Sequence, residues 1–96
     1  MIEVRQTTTF KNWLDGLADK TAAQRIADRI LRMQGGLLGD VEPVGNGVSE
    51  MRIHYGPGYR VYFVQRGKTV VVLLCGGDKR TQSKDIKAAK AMAKDL

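Results

Sequence analysis

His54, Arg60, Lys79 and Arg80 all lie within Glu50 to Arg80 (EMRIHYGPGYRVYFVQRGKTVVVLLCGGDKR), a stretch that two tight turns fold into a three-strand meander. One imidazole among several cations, with no carboxylate pair and no cysteine–histidine set beside it, points to a phosphodiester and away from a peptide, ester or sugar. Cleaving RNA with its own 2′-hydroxyl needs a base for that hydroxyl, donors for the charge growing on phosphorus, and an acid for the departing 5′-oxygen. His54 is the one side chain that ordinarily titrates near neutrality, which makes it the candidate base. The planar fork of Arg60 can hold a phosphate at two points, and its structural alternative is an ion pair with Glu50 or Asp78. Lys79 and Arg80 follow Gly76-Gly77, so one can donate to phosphate or to the leaving group while the other clamps. Arg52 and Lys84 extend the cationic set toward an RNA strand, and Tyr55, Tyr59 and Tyr62 offer rings for base stacking, Tyr59 foremost, although core packing claims at least one of them. One His, one Cys and scattered carboxylates make no metal site, and the glycines of 35–47 match no P-loop or dinucleotide fingerprint, so no cofactor is expected.

These groups need elements to hold them. Ile2 to Gln6 alternates in polarity and reads as a strand; Thr7 to Thr9 can cap a helix bearing Phe10, Trp13, Leu14 and Leu17 on one stripe. After a break near Asp19, Ala22, Ile26, Ile30 and Met33 repeat at helical spacing until Gly35-Gly36. The two helices form a hairpin whose stripe must cover a sheet. Residues 35–48, with five glycines and a proline among them, read as a loop. In the meander, a Gly56-Pro57-Gly58 connection pairs Tyr55 with Tyr59 and His54 with Arg60. Period-two geometry then sets Arg52, His54, Arg60 and Tyr62 on one face and Met51, Ile53, Val61 and Phe63 on the other, where the hairpin belongs. An Arg66-Gly67 turn leads into a third strand, Lys68 to Cys75, apolar on both faces and hence central, with Leu73 opposite Arg60. Thr81 or Ser83 can cap a last helix with Ile86, Ala89 and Ala93 as its seam, to pack on the open face or stay mobile.

Ninety-six residues make one domain, 1–96, with a single modest core. The net charge of +6 is uneven: six cations and six carboxylates cancel in residues 1–48, so the excess lies wholly in 49–96. That asymmetry favours nucleic acid or an acidic protein as partner. Cys75 closes an apolar run and reads as a small buried thiol. MIEVRQTTTF has no signal-peptide core and no apolar run is long enough for a bilayer, so a cytoplasmic protein is expected, away from membranes.

The string SEMRIHYGPGYRVYFVQRGKTVVVLLCGGDKRTQSKDIKAAKAMA resembles the RelE/ParE superfamily of type II toxin–antitoxin toxins, in particular the addiction module killer proteins related to HigB. The likeness covers essentially the whole chain and is sharpest at MRIHYGPGYRVYF, LLCGGDK and DIKAAKAMA. It implies an α+β fold, a small antiparallel-rich sheet in β-α-α-β-β-β-α order with a helical hairpin on one face. It also implies a helix-turn-helix antitoxin as partner, in a hetero-oligomer. RelE-like members cut mRNA on the ribosome and leave a 2′,3′-cyclic phosphate, whereas ParE-like members poison DNA gyrase; an inactive nucleic-acid- or antitoxin-binding module would need only the charge. By resemblance Arg60 stands for the transition-state arginine and Lys79 for the basic residue after the last strand, with Arg80 beside it. RelE also uses a C-terminal tyrosine; this chain has none after Tyr62, so that role is absent or falls to His54.

Overall fold

The computed structural model describes residues 1–96 as a five-stranded sheet covered on both faces by helices. The chain runs β1 (Glu3–Gln6), α1 (Thr8–Asp15), α2 (Lys20–Gln34), β2 (Val41–Gly45), β3 (Val48–Ile53), β4 (Tyr59–Arg66), β5 (Val70–Asp78), a 3-10 turn at Lys79–Thr81, and α3 (Gln82–Lys94). Spatial order is β1-β5-β4-β3-β2, antiparallel except for β1, which lies parallel to β5. The expected α+β architecture holds, with one strand more than the sequence suggested.

Local chemistry starts α1 as expected, while α3 begins at Thr81 without the side-chain cap expected from Thr81 or Ser83. Thr7 Oγ1 accepts from Phe10 N at 3.0 Å and donates to Leu74 O at 2.6 Å, which caps α1 and ties it to β5. Asp19 Oδ1 accepts from Thr21 N and Ala22 N at 3.0 and 3.1 Å, so the break between the helices is itself a cap. The hairpin buries Phe10, Ala22, Ile26, Ile30 and Met33 against Met51, Ile53, Val61, Phe63, Val71 and Leu73, the face that alternation assigned to it. Helix α3 lies on the opposite face, where Ala89 joins Val48, Tyr62, Val64, Leu74 and Cys75. Neither α1, α2 nor α3 is long and apolar enough to cross a membrane.

Three expectations need correction. Residues 41–45 are not loop but edge strand β2, paired to β3 through Val41↔Met51 and Glu42↔Glu50. An edge position needs no inner-side donor from Pro43, which is why a proline survives there. The β3–β4 connection is five residues, His54 to Gly58, with Ile53↔Tyr59 and Arg52↔Arg60 the closing pairs. Tyr55 N turns back to Ile53 O (2.9 Å) and Gly58 N to Tyr55 O (3.1 Å), so Tyr55 belongs to the turn and His54 stands outside the ladder. The slip is two residues, which preserves parity and therefore the faces. Third, β5 runs on to Asp78: Gly76 and Gly77 lie inside it, and Arg60 faces Gly77, not Leu73. A longer turn and a bulge between the Phe63↔Leu73 and Tyr62↔Cys75 pairs, with Leu74 the extra residue, account for the difference.

Candidate active site

Alternation along β3 and β4 sends Glu50, Arg52, Arg60 and Tyr62 to the α3 side of the sheet, at the end where the 54–58 turn closes. Strand β5 delivers Lys79 there, its N–H donating to Gly58 O at 3.0 Å. The first turn of α3 adds Gln82. Between them opens a cleft of about 610 Å³, lined by Arg52, His54, Tyr55, the Gly56-Pro57-Gly58 turn, Arg60, Lys79 and Gln82. Gly58, at φ +81°, passes directly under the Lys79 side chain, where a Cβ would stand 3.4 Å from its Cδ.

Arg60 is 6 % exposed and Glu50 is wholly buried, so a charge pair lies at the floor of this opening. Arg60 Nε is 3.6 Å from Glu50 Oε1, near enough for attraction and too far for a hydrogen bond. Its Nε and the Tyr62 hydroxyl are the buried side-chain polar atoms left without a partner. Glu50 is otherwise well held: Arg52 Nε donates to Oε1 at 3.0 Å and Gln82 Nε2 to Oε2 at 2.7 Å. Burial pushes its carboxyl up, but the bonds from Gln82 and Arg52 and the Arg60 charge outweigh that and keep it below the usual carboxylate range. Arg52 reaches outward as well, with Nη2 2.6 Å from Glu42 Oε2. Burial first, and the Glu50 charge second, push the Tyr62 hydroxyl up, so it stays protonated. Arg60 thus presents a fixed guanidinium with an unspent donor, backed by one carboxylate.

Of the residues singled out in the sequence, Arg52, His54, Arg60 and Lys79 meet in the cleft. Tyr55 lines it too, whereas Arg80, Lys84, Tyr59 and the wholly buried Tyr62 do not. Arg80 turns away, its Nη2 2.9 Å from Asp78 Oδ2, and Lys84 is exposed on α3 outside the cleft lining. Tyr59 is packed on the hairpin side, its ring 6.2 Å from that of Trp13, so it offers no stacking face to this cleft. His54 is exposed, but cations do not surround it alone: its Nε2 lies 2.5 Å from Asp40 Oδ2. That bond, with Arg52 and Arg29 nearby, holds Asp40 below the usual carboxylate range. Cys75 is buried, with its thiol pushed up to about 11 by burial and then by Asp85, and takes no part. Sequence reading named Glu50 as one of two possible partners for Arg60, and Glu50 is the one found there, but it missed Asp40, Glu42 and Gln82. Glu50 shares the parity of Arg52 and Arg60; Gln82 and Asp40 arrive only through the fold.

A fixed arginine, a lysine and an imidazole held by a carboxylate, all on one open cleft, form an arrangement able to bind a phosphodiester and move protons on it. Residues 12–96 match the model of the family described as Phage derived protein Gp49-like (DUF891). An uncharacterized protein of Haemophilus influenzae Rd is 47 % identical over 95 residues, spanning 99 % of this chain and 96 % of that one. The match takes in α2, the whole cleft and α3, and that family is one of RelE/ParE-like toxins, whose members have a cognate antitoxin as partner. The chain belongs to the Gp49-like family of toxin–antitoxin toxins.

Proposed function

We propose that this toxin is a ribosome-dependent endoribonuclease, HigB-related in its action, that cuts mRNA in the cytoplasm and is neutralised by a helix-turn-helix antitoxin. The observation that carries the reading is Arg60: a nine-tenths-buried guanidinium at the floor of an open cationic cleft, with its Nε unsatisfied. Its Nε faces Glu50, and its two Nη groups donate to no protein group, which leaves them for a ligand in the cleft. The 2′-hydroxyl loses its proton to His54 and its oxygen attacks phosphorus. In the tautomer whose Nε2–H donates to Asp40, Nδ1 is the free acceptor, and Asp40 fixes the ring as a carboxylate fixes a catalytic histidine elsewhere. Charge gathering on the phosphorane oxygens is met by Arg60 and Lys79, the P–O5′ bond breaks, and O5′ takes a proton from Lys79. The products are a 2′,3′-cyclic phosphate and a 5′-hydroxyl, with no metal required by any step. Arg52 holds the RNA from the cleft wall.

Translating ribosomes incubated with the full chain should yield new mRNA ends bearing 2′,3′-cyclic phosphate. Arg60→Ala should cut the rate by about 10²–10³, the scale of losing one preorganised donor to a developing oxyanion. His54→Ala should slow cleavage by about 10²–10⁴ while RNA binding survives. Intact mRNA with inhibited gyrase supercoiling would replace this reading by the gyrase one; neither effect would leave a binding module. Full activity in His54→Ala would remove that residue from the mechanism.

A further inference from the structure

Charge that cancels along the first half of the chain does not cancel in space. Arg25, Arg29 and Arg32, spaced four and three apart, share one face of α2, and none has a carboxylate within ion-pair distance. They form one wall of a second cleft, of about 260 Å³, whose other wall includes His54 and Tyr55. Those two residues also line the first cleft, so the two openings are neighbours across the 54–55 turn. Arg29 is pinned at the floor, Nη1 donating to Arg52 O at 2.6 Å and Nη2 to Leu38 O at 3.3 Å. Gly39, at φ +72°, makes room for it: a Cβ there would meet Nη2 at 2.8 Å. Burial lowers the Arg29 guanidinium, with Asp40 acting against that and Arg32 with it. Arg25 lies over the Tyr55 ring, 4.6 Å from its centroid, and Arg32 is exposed. The one carboxylate in the lining, Asp28, already accepts from Gln24 Nε2 at 3.0 Å.

We propose that this second cleft is a flanking subsite for single-stranded RNA. It takes the nucleotides next to the scissile one, with Arg29 and Arg32 on phosphate and a base stacked on the Arg25–Tyr55 pair. The inference rests on the endoribonuclease reading for the strand's identity. Three guanidiniums against one engaged carboxylate supply the phosphate attraction. A guanidinium plane lying on an aromatic ring at the junction suits a splayed-out base better than an acidic peptide, which has no flat surface to stack. Contiguity through His54 and Tyr55 gives the strand an unbroken path from the Arg60 cleft onto α2.

The test compares 2′-O-methyl oligonucleotides, which lack the attacking hydroxyl, of three and nine nucleotides, binding to the full chain and to R25A/R32A. The nonamer should bind the wild type at least about tenfold more tightly than the trimer, on the scale of one stacked base. In R25A/R32A that advantage should vanish while trimer affinity holds within about twofold. The salt dependence of nonamer binding should also become shallower by about 0.7 for each phosphate that the variant no longer neutralises. A K11A/K68A control removes the same charge from exposed sites elsewhere and should keep the advantage. Equal losses for both lengths, equal losses in the control, or no loss would each overturn the subsite. Loss of hexa-aspartate binding with nonamer binding intact would assign the cleft to an acidic protein and overturn it too. Failure of the endoribonuclease reading shows differently: the wild type then binds neither length, or binds the trimer no better than Arg60→Ala does.

Discussion

Glu50→Ala should cost about 3–5 kcal/mol of folding stability, the loss expected when one partner of a buried ion pair is removed and the other charge stays behind. The carboxyl is wholly buried and receives Arg52 Nε and Gln82 Nε2, with Arg60 Nε at 3.6 Å. Removing it strands Arg60 beside two emptied donors, in a domain whose total stability is of order 5–15 kcal/mol. Glu50→Gln keeps the shape and some of the bonds and should cost less, about 1–3 kcal/mol. Replacing both charges, as in Glu50→Leu with Arg60→Met, should recover much of the loss, since the desolvation cost of both ions goes with them. Urea unfolding of the four proteins checks the order. An effect below about 1 kcal/mol for Glu50→Ala would mean that the carboxylate is not the counter-charge that lets Arg60 stay buried. The same pairing sets a pH dependence. Because the folded carboxyl titrates below the ordinary glutamate value of 4.5, its stabilisation is complete above that value and is lost as pH falls through the lower, folded one. Wild type should therefore lose stability in acid more steeply than Glu50→Gln.

How much of this was legible in the chain depends on which physical signal was local. Caps and stripes are local, and Thr7 and the Ile26-Ile30-Met33 stripe behaved as their spacing implied. Faces depend only on parity, so Arg52, Arg60 and Tyr62 shared a side even though the register was two residues off. Parity also argued against Tyr59 as a stacking residue, since Tyr59, Val61 and Phe63 must point the same way, and they do. Register depends on turn length and bulges, which composition sets weakly; hence Arg60 faces Gly77. Strand β2 escaped notice because Pro43 and Gly45 disfavour pairing everywhere except at an edge, and edge position is a property of the sheet. Charge was summed along the chain, which hid α2: three arginines balanced by distant carboxylates look neutral until the helix gathers them beside His54. Glu50 was legible only as a possible partner of Arg60; that Arg52 and Gln82 converge on it as well is set by the fold.

Gly76→Ala should cost about 1–3 kcal/mol, the usual range for forcing a side chain into filled space, and should move the Trp13 ring. Read as punctuation, Gly76-Gly77 marked the end of a strand; inside β5, each glycine is empty because something else occupies its place. A Cβ on Gly76 would stand 2.3 Å from Trp13 Cε3, and one on Gly77 would stand 1.8 Å from Asp85 Oδ2. Trp13 lies across the sheet there, its ring 5.8 Å from that of Phe10 and 6.2 Å from that of Tyr59, which anchors α1 against β5 and β4. A methyl group at Gly76 must lift that ring toward water. Trp13 is the single tryptophan, so its emission reports the event directly and should shift to the red in the folded variant. Gly77→Ala acts on the opposite face, against the Asp85 carboxylate that accepts from Thr81 Oγ1 at 2.5 Å at the start of α3. It should leave the emission in place while shifting the first turn of α3, which carries Gln82, and so should weaken the cleft more than the core. Unchanged emission and stability in Gly76→Ala would show that the ring does not depend on the glycine. The contrast between the two variants then separates what the glycine pair does for the core from what it does for the site: Gly76 admits the anchor of one helix, and Gly77 admits the turn that brings the other helix onto Glu50.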